Sequence, residues 1–466
     1  MALDQYTAGT ELDGFRLGER IHSGAMGHIY RIAGPSSGAP MIMKVPRVGR
    51  GESGEGFISF ETEARILPAL SGPHVPRFVA AGNLSKTPYL VTEWIEGDSL
   101  ERVRKRGPLS VAEIASIGAA LADAVHSLHL QDVIHLDIKP DNVIVKPSGE
   151  VALIDFGLAY HAHFPDLLAE EQRFAAGSAP YISPEQVQGT RSDPRSDIFA
   201  LGAVLYELAT GELPFGVPAT LAGLRDRLWL DPVPPHLRSR EVPPWLQEII
   251  LRCLDPGAED RYQSAAHVAF DLRNPDQVAL TARAGKLSRA GLFAQTRRWW
   301  RARGQHRGPR RAPGAQVGAA PIIMVAVDTT HPEDERQPAL QRTTAQVLSL
   351  SSEFRLICVS VIRSAPVASD AASASSLYLG HLVRLRHWVE PLRLPARRLS
   401  LHVIESANPE DTLLEFARRN NVDLIVLGAP HPAQLGLAWW RSVASGVTAN
   451  ARCSVHVVRV PPRAIS

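Results

Sequence analysis

The sequence predicts a multi-domain chain in which a two-lobed α+β unit precedes a smaller α/β unit with a five-stranded parallel sheet. Short β-rich runs fill residues 14–95, and long helical patterns follow as far as residue 275. From Ile322, five continuous apolar runs alternate with segments long enough for crossover helices, which is typical of a parallel sheet covered on both faces. The length of 466 residues, 45% of them hydrophobic, provides for more than one core.

Composition excludes several classes of protein. No internal repeat is present, which excludes collagen, and three widely spaced cysteines, Cys253, Cys358 and Cys453, indicate a reducing compartment rather than a disulfide framework. No apolar stretch reaches the roughly 20 residues of a membrane span, and the N-terminus lacks the basic-then-apolar form of a signal peptide. We therefore expect a cytoplasmic protein without a transmembrane segment.

The predicted first lobe comprises residues 14–95 and follows an N-terminal tail of residues 1–13. The spacing of apolar residues in FISFETEARILPAL predicts one helix in this lobe. Its strands are expected at FRLGERI, HIYRIA, MIMKV and YLVTEWI.

The predicted second lobe, residues 96–275, is helical. Ser110 and Glu113 have the spacing of a capping box at the start of one long helix. A second long apolar helix follows Asp197 and is expected to end at Gly211.

Residues 276–319 are predicted to be a basic linker rich in Arg, Gly and Pro. The chain has 50 Lys and Arg residues against 48 Asp and Glu, yet no acidic residue lies between Asp276 and Asp328. Ten positive charges fall in that interval, which leaves 40 basic and 48 acidic residues elsewhere. RARGQHRGPRRAPGAQVG, residues 301–318, is typical of a segment without regular structure, whereas the part before it has the pattern of an amphipathic basic helix.

The linker charges have three interpretations at the level of the sequence. They could contact nucleic acid, they could bring Trp299 and Trp300 to an anionic membrane surface, or they could belong to a solvated linker that touches the acidic units at its ends. We favour the third interpretation over peripheral membrane contact. No motif that reads base edges is present, so we expect no specific nucleic-acid partner.

Residues 320–462 are predicted to form a Rossmann-like α/β domain with a five-stranded parallel sheet. Segments of helical length separate its apolar runs. Those runs are IIMVAV, RLICVSVI, LSLHVIE, VDLIVLG and SVHVVRV.

The strongest chemical pattern is HLDIKPDN at residues 135–142, followed by DFG at residues 155–157. Asp137 can accept a hydroxyl proton, and Asn142 and Asp155 offer oxygen ligands to a metal ion. Upstream, the turn SGAMG can bring backbone N–H groups onto phosphates, and Lys44 on the next strand can reach the same groups. Phosphoryl transfer needs this combination of a positioned nucleophile and charge-neutralising cations.

The order of these motifs over the first 275 residues resembles that of eukaryotic-type Ser/Thr protein kinases, which also occur in bacteria. The resemblance implies the bilobal kinase fold and transfer of the γ-phosphoryl group of ATP, with Mg²⁺ or Mn²⁺, to a Ser or Thr hydroxyl of a protein substrate. It also implies the following catalytic residues and metal ligands: the base Asp137, Lys139 beside the γ-phosphate, Lys44 on the α/β-phosphates, its partner Glu63, and the ligands Asn142 and Asp155.

The same resemblance implies two further sets of residues. The ATP-binding set surrounds a small gatekeeper and comprises Ile21, Gly24, Gly27, Ile29, Ile42, Lys44, Thr92, Glu93, Ile95 and Ile144. The set that shapes the activation region comprises Phe156, Gly157, Glu185, Asp197 and Arg261. In the second set, Arg261 is expected to pair with Glu185.

The departures from the family pattern also carry information. His22 stands where the glycine turn usually has its first glycine, and Ile42 stands where a small alanine usually covers the adenine. Leu136 replaces the arginine that in this family pairs with a phosphorylated activation segment. The stretch from residue 158 to residue 176 contains no Ser or Thr, and Tyr160 is its one hydroxyl-bearing residue. We therefore hypothesise that activity does not depend on phosphorylation of this stretch.

From residue 320 the chain resembles a universal stress protein domain, a small nucleotide-binding fold. The matching segments are AVD, VDLIVLGAP and WWRSVASGVTANARCSVHVVRV, and a second nucleotide site would comprise Asp328, Gly428 and Ser442. In the phosphate-binding frame of that family, His431 and Arg441 replace two glycines. Either these side chains supply charge to a phosphate, or they fill the cradle so that the domain no longer binds ATP well, which is the interpretation we favour. Members of this family commonly dimerise, which implies a homodimer through the terminal strand.

Two functions are compatible with these observations. The first is a Ser/Thr protein kinase with a C-terminal sensory or dimerisation domain. The second is a catalytically weak kinase or pseudokinase that serves as a nucleotide-binding adaptor in a stress response. The presence of Lys44, Asp137 and Asp155 favours the first function.

Overall fold

A computed structural model of the chain describes residues 6–24, 27–33, 40–47, 54–84, 87–171, 177–218, 220–288, 312–331, 336–362, 371–429 and 443–459. The chain divides into two compact units. The first unit contains the residues up to Arg273 together with 280–316, and the second contains 274–279 together with the residues from Val317 onwards.

The first lobe of the N-terminal unit is a six-stranded antiparallel sheet with one helix. The strand order is β1-β2-β3-β4-β6-β5. The elements are β1 (Glu11–Leu12), β2 (Phe15–Gly24), β3 (Gly27–Ala33), β4 (Met41–Val45), α1 (Gly54–Ile66), β5 (Phe78–Ala81) and β6 (Leu90–Glu93). Because successive side chains of a strand point to opposite faces, Met41, Met43 and Val45 of β4 are buried in the core while Lys44 projects from the other face.

The second lobe consists mainly of helices. They are α2 (Leu100–Lys105), α3 (Val111–Leu130), α4 (Leu167–Glu171), α5 (Pro184–Val187), α6 (Arg195–Thr210), α7 (Leu221–Arg225), α8 (Pro235–Arg238), α9 (Pro244–Cys253) and α10 (Ala265–Arg273). Its short strands are β7 (Asp98–Ser99), β8 (Val133–Ile134), β9 (Val143–Val145), β10 (Val151–Leu153) and β11 (Tyr160–His161), which form a three-stranded sheet β10-β9-β7 and a pair β11-β8. Short 3₁₀ helices of this lobe span Pro140–Asn142, Asp226–Leu228 and Ala258–Asp260. Another, Leu67–Ala69, follows α1 in the first lobe, and Pro275–Gln277 belongs to the second unit.

Two long helices form the centre of this lobe. The capping box predicted for α3 is present, because the Ser110 side chain accepts from the Glu113 backbone and the Glu113 side chain accepts from the Ser110 backbone. α6 ends at Gly211 in a left-handed conformation with φ of 72°, as the glycine predicts. Within the described residues, α3 is long and apolar enough to cross a membrane by length and composition alone, a candidate that we did not expect. Its Leu121 and Leu128 side chains are fully buried in the lobe, as in a core helix.

The predicted linker is partly ordered against the N-terminal unit. Residues 281–286, which we call the linker turn, fold against α9 and are discussed below. The sequence predicts no regular structure at 301–318, but Pro313–Gly318 forms a short helix, α11. The carboxylate of Asp132 accepts the backbone N–H of Gly314 at 2.8 Å, a capping contact that linear sequence does not reveal. Residues 289–311, with Trp299 and Trp300, lie outside the described residues.

The C-terminal unit is a five-stranded parallel sheet in the order β14-β13-β12-β15-β16. Its strands are β12 (Ile322–Ala326), β13 (Arg355–Ile362), β14 (Leu399–Glu405), β15 (Leu424–Gly428) and β16 (Ser454–Val458). Its helices are α12 (Arg336–Leu348), α13 (Ala371–Val389), α14 (Pro409–Arg419) and α15 (Val443–Asn450), with 3₁₀ helices at Glu390–Leu392 and Ala396–Arg398. Leu356 and Val426 are fully buried in its core. The predicted fold class is confirmed for both units.

Candidate active site

A buried carboxylate, that of Asp197, holds the loop that carries Asp137. Asp197 of α6 accepts the backbone N–H groups of His135 at 2.8 Å and Leu136 at 2.9 Å. Leu136 has a φ of 61°, which is unfavourable for a side chain of this size. The two hydrogen bonds to Asp197, which has no exposed surface, hold the loop in this conformation.

Three neighbouring groups orient the carboxylate of Asp137. Its Oδ1 atom accepts the backbone N–H of Ser178 at 2.8 Å. Its Oδ2 atom accepts from Lys139 Nζ at 2.9 Å and from Asn142 Nδ2 at 3.1 Å. Lys139 also donates to the Ser178 hydroxyl at 2.9 Å. A carboxylate with both oxygens held in this way is positioned for a single partner hydroxyl.

Three charged side chains from separate elements meet above this loop. Lys44 Nζ on β4 donates to Glu63 Oε2 on α1 at 2.5 Å and to Asp155 Oδ1 at 2.9 Å. Burial alone would lower the pKa of Lys44, but the two carboxylates raise it above its ordinary value. Burial alone would raise the pKa of Asp155, but the charge of Lys44 lowers it. Lys44 is therefore held as a cation and Asp155 as an anion.

Phe156 and Gly157, which follow Asp155, pack closely against His135 and α1. Phe156 is fully buried, its ring centroid lies 5.0 Å from that of His135, and its backbone N–H donates to Glu63 Oε1 at 3.3 Å. A Cβ atom at Gly157 would collide with the hydroxyl of Ser59 on α1. The close approach of these two segments therefore requires glycine at this position.

The glycine turn is a hairpin between β2 and β3. Gly24 and Gly27 are register partners, and residues 25 and 26 lie outside the described residues. Gly27 has a φ of 143°, and a Cβ there would collide with the carbonyl of Val45. His22, the departure from the family pattern, places its imidazole beside Gly24.

The predicted adenine-pocket residues lie on several strands of the first lobe and on β9. Ile42 on β4 and the buried gatekeeper Thr92 on β6 are register partners. Glu93 ends β6, and its backbone N–H donates to the Arg77 carbonyl at 3.0 Å. The remaining apolar members are all half-buried and lie on β2, β3 and β9 or two residues after the end of β6: Ile21, Ile29, Ile144 and Ile95.

The activation region is anchored by a buried ion pair. Arg261 donates to Glu185 through Nη1 at 2.6 Å and through Nη2 at 2.9 Å, a bidentate arrangement. Ser196 at the start of α6 also donates to Glu185, at 2.9 Å. These contacts hold α5 against the start of α6 and against the loop that carries Arg261.

Two residues of the site were not predicted from the sequence. Ser178 joins Asp137 to Lys139, but a serine after a glycine is also typical of an ordinary turn. His129 Nε2 lies 3.0 Å from Asp197 Oδ2, and neither side chain is exposed. A histidine in the last turn of a helix usually indicates an interaction with the helix dipole. The position of His129 in α3 therefore did not predict its contact with Asp197.

The second nucleotide site remains a prediction. Asp328 follows β12, where its two carboxylate oxygens lie 2.8 Å from the Thr330 backbone nitrogen and 3.1 Å from His331 Nδ1. Burial would raise the pKa of Asp328, and these partners lower it. Such contacts cap a strand-to-helix turn. Gly428 ends β15, whereas Ser442, His431 and Arg441 lie outside the described residues.

Comparison with known proteins identifies both units. The family model described as "Protein kinase domain" matches residues 15–270, more than half of the chain. The chain belongs to the protein kinase family. The model described as "Universal stress protein family" matches residues 321–459, so the kinase domain is followed by a universal stress protein domain.

The kinase domain is similar to those of bacterial relatives. The "Serine/threonine-protein kinase PknB" of Mycolicibacterium smegmatis is 31% identical over 265 residues, which cover 56% of this chain and 42% of that protein. The "Probable serine/threonine-protein kinase CE0033" of Corynebacterium efficiens is 28% identical over 416 residues, 86% of this chain and 62% of that protein. The chain thus spans less than half the length of the first of these relatives.

Solved kinase structures are also similar to this chain. The crystal structure of a mutant form of the Mycobacterium tuberculosis PknI kinase domain is 20% identical, with a TM-score of 0.46. The match covers 58% of this chain and 99% of that one.

Proposed function

We propose that the chain is a protein serine/threonine kinase that transfers the γ-phosphoryl group of ATP to a hydroxyl group of a protein. The observation that carries this proposal is the orientation of Asp137, whose two carboxylate oxygens are held by Ser178, Lys139 and Asn142. Positioning and charge stabilisation account for most of the catalysis of phosphoryl transfer.

In the proposed mechanism, Asp137 accepts the proton of the attacking hydroxyl. Lys139 stands beside it, 2.9 Å from Oδ2, and its charge stabilises negative charge that develops on the transferred group. Lys44 holds the α/β-phosphates, and Glu63 restricts where its ammonium group can lie. Phe156 and its neighbours exclude water from the floor of the site.

The residues present fit a divalent cation. Asn142 donates its amide hydrogens to Asp137 O at 3.0 Å and to Asp137 Oδ2, which leaves the amide oxygen as its coordinating atom. Asp155 supplies an anionic carboxylate. Oxygen donors of this kind suit Mg²⁺, and also Mn²⁺, bound together with phosphates. Such a cation would neutralise charge on the phosphates.

The test measures transfer from γ-labelled ATP by the full chain, with its own Ser and Thr residues and a generic acceptor such as myelin basic protein as substrates. Asp137→Asn is expected to lower kcat by roughly 10²- to 10⁴-fold, since a general base is lost. Asp141→Asn is the matched control, because Asp141 is an exposed carboxylate in the same loop. Equal labelling by the wild type and Asp137→Asn, or label on tyrosine alone, would contradict the proposal.

For the C-terminal domain we propose a sensory or dimerising role. β16 lies at the edge of the sheet, where its backbone can pair with another strand. A monomeric mass of the full chain at micromolar concentration would contradict dimerisation. We also propose a cytoplasmic location, which is supported by three cysteines that are all unpaired.

A further inference from the structure

An ion pair fastens residues 158–171, the described part of the stretch that follows the DFG motif, which we call the activation segment. Arg191, in the loop before α6, donates from Nε to the two carboxylate oxygens of Asp166 at 3.1 and 3.0 Å. Its Nη2 atom donates to the Leu158 carbonyl at 2.9 Å. One guanidinium group therefore binds both the beginning and the middle of the segment.

The pair is largely shielded from water. The side chain of Arg191 is 11% exposed and that of Asp166 is 20% exposed. A charge-assisted hydrogen bond between arginine and a carboxylate that is shielded in this way is stronger than an exposed ion pair. Removal of either partner would leave a partly buried charge without its counterion.

The ion pair is connected to the catalytic residues through a short helix. Asp166 also accepts the backbone N–H of Ala169 at 3.2 Å, which fixes the first turn of α4. Leu168 of α4 is buried, and α4 packs against α1. α1 carries Glu63, which binds Lys44 at 2.5 Å.

In the family that the chain resembles, a phosphorylated residue of the activation segment pairs with an arginine next to the catalytic aspartate, and both groups are absent from the sequence here. Of the residues of the activation segment, Tyr160 alone carries a hydroxyl. Leu136 replaces the phosphate-binding arginine and is buried, and its carbonyl accepts from Gln186 Nε2 at 2.9 Å. The site is nevertheless assembled, because Ser178 binds Asp137 and Lys44 binds Glu63.

We propose that the Asp166–Arg191 ion pair holds the activation segment in its assembled form without phosphorylation, so that Arg191 is a positioning residue for phosphoryl transfer. The Asp166 carboxylate then has the role that a phosphate group has elsewhere in the family, and Arg191 replaces the arginine missing at position 136. The inference rests on the proposed kinase function. It names two residues that the family resemblance does not assign.

The experiment uses the full chain, freed of phosphate by a phosphatase and checked by mass spectrometry. The wild type is expected to be active in this form, and Tyr160→Phe is expected to keep that activity. Arg191→Ala and Asp166→Asn are expected to lower kcat by at least about tenfold. The KM for ATP is expected to rise by a smaller factor than kcat falls, because the connection through α4 and α1 ends at Glu63, which positions Lys44.

Two further variants separate positioning from general stability. The reversed pair, Asp166→Arg with Arg191→Asp, is expected to recover part of the lost kcat, since the charges again attract. Arg238→Ala is the matched control, because Arg238 forms an exposed ion pair with Glu212 in the same lobe. It is expected to leave kcat unchanged.

Hydrogen exchange provides a readout that does not require activity. Arg191→Ala is expected to speed amide exchange across residues 158–171, whereas Asp137→Asn is expected to lower kcat without this effect. An inactive wild type would overturn the kinase proposal, and faster exchange in Arg191→Ala would still support the ion pair as the fastening. Full kcat in Arg191→Ala, unchanged exchange in that variant, or a strict requirement for phosphate on Tyr160 would overturn the inference.

Discussion

Individual side chains at the site have more than one partner, and these contacts together restrain the loop around Asp137. Asp197 binds two backbone N–H groups and lies 3.0 Å from His129, so its carboxylate has no freedom to rotate. Ser178 also has two partners, because its backbone N–H donates to Asp137 and its hydroxyl accepts from Lys139. A hydrogen bond to a charged group contributes about 1.5–3 kcal/mol, so single substitutions here have measurable effects.

Ser178→Ala is expected to lower kcat by roughly 10- to 100-fold, because Lys139 loses its hydroxyl partner and becomes free to move. The backbone bond from residue 178 to Asp137 remains in this variant, so KM for ATP should stay near its wild-type value. Steady-state kinetics of the full chain measure both constants. Ser178→Thr keeps the hydroxyl and is the matched control; a kcat for Ser178→Ala equal to that of Ser178→Thr would contradict the assignment.

We expect the kinase unit to lose stability in mild acid because of the buried side chain of His126. Burial and the neighbouring His129 lower the pKa of His126 to about 4, whereas it is roughly 6.5 in an unfolded chain. The unfolded state therefore binds a proton more readily, and stability falls as the pH drops from about 6.5 towards 4. At pH 5 this amounts to about 2 kcal/mol.

The measurement is denaturant unfolding of the full chain at pH 7.5 and pH 5.0. His126→Gln, which cannot be protonated in this range, is expected to show a loss between the two pH values that is smaller by about 2 kcal/mol than that of the wild type. The same pH dependence in both proteins would show that His126 is not the group responsible.

At the scale of elements, the linker turn is an integral part of the kinase unit beyond the residues that the family model matches. Glu248 of α9 accepts the backbone N–H groups of Thr281 at 2.9 Å and Ala284 at 3.0 Å, and also the Thr281 hydroxyl. Arg283 donates to Asp255 at 2.9 Å. Glu248 is 2% exposed, so its charge is stabilised almost entirely by this turn.

Glu248→Ala is therefore expected to destabilise the kinase unit by about 2–3 kcal/mol, because two backbone donors of the turn lose their acceptor. The turn should also become accessible to trypsin at Arg283 and Lys286. Limited proteolysis followed by mass spectrometry measures this directly. Glu241→Ala removes an exposed carboxylate nearby in sequence and is the control. Equal cleavage rates in the two variants would mean that the turn is not held by Glu248.

At the scale of the whole molecule, the small net charge conceals an uneven distribution. The chain carries 50 basic and 48 acidic residues, but ten of the basic ones fall in a linker interval without acidic residues. Two of these ten, Arg283 and Lys286, pair with Asp255 and Asp231 of the kinase unit. These two positive charges of the linker therefore take part in ion pairs of the folded kinase unit.

The two units are expected to differ in their response to Mg-ATP. A ligand at about 100 times its Kd stabilises a folded unit by about 2.7 kcal/mol, which raises its unfolding temperature. We expect this shift for the kinase unit alone, because two glycines of the second phosphate cradle are replaced by His431 and Arg441. Hydrogen exchange of the full chain with and without Mg-ATP assigns protection to each unit. Protection of β12 and β15 that Asp328→Ala abolishes would contradict this prediction.

The sequence by itself determined the order of the domains, four strands of the first lobe, the five strands of the C-terminal domain, the long helices, and the positions of Lys44, Asp137 and Asp155. Such features depend on local periodicity and on fixed motif spacing, which can be recognised along the chain. β5 (Phe78–Ala81) and the short helix α11 (Pro313–Gly318) are too short for a clear pattern and were not predicted.

Only the tertiary structure decided which distant residues meet. Asp166 and Arg191 are 25 positions apart, Asp137 and Ser178 are 41 apart, and Glu248 and Thr281 are 33 apart. Apart from Asp137, which its motif identifies, each of these residues is of a type that is also common in exposed turns and on helix surfaces. Their roles arise because the fold removes the carboxylates of Asp137 and Glu248 from water and largely shields that of Asp166, and a buried charge is stable only where a partner lies within hydrogen-bonding distance.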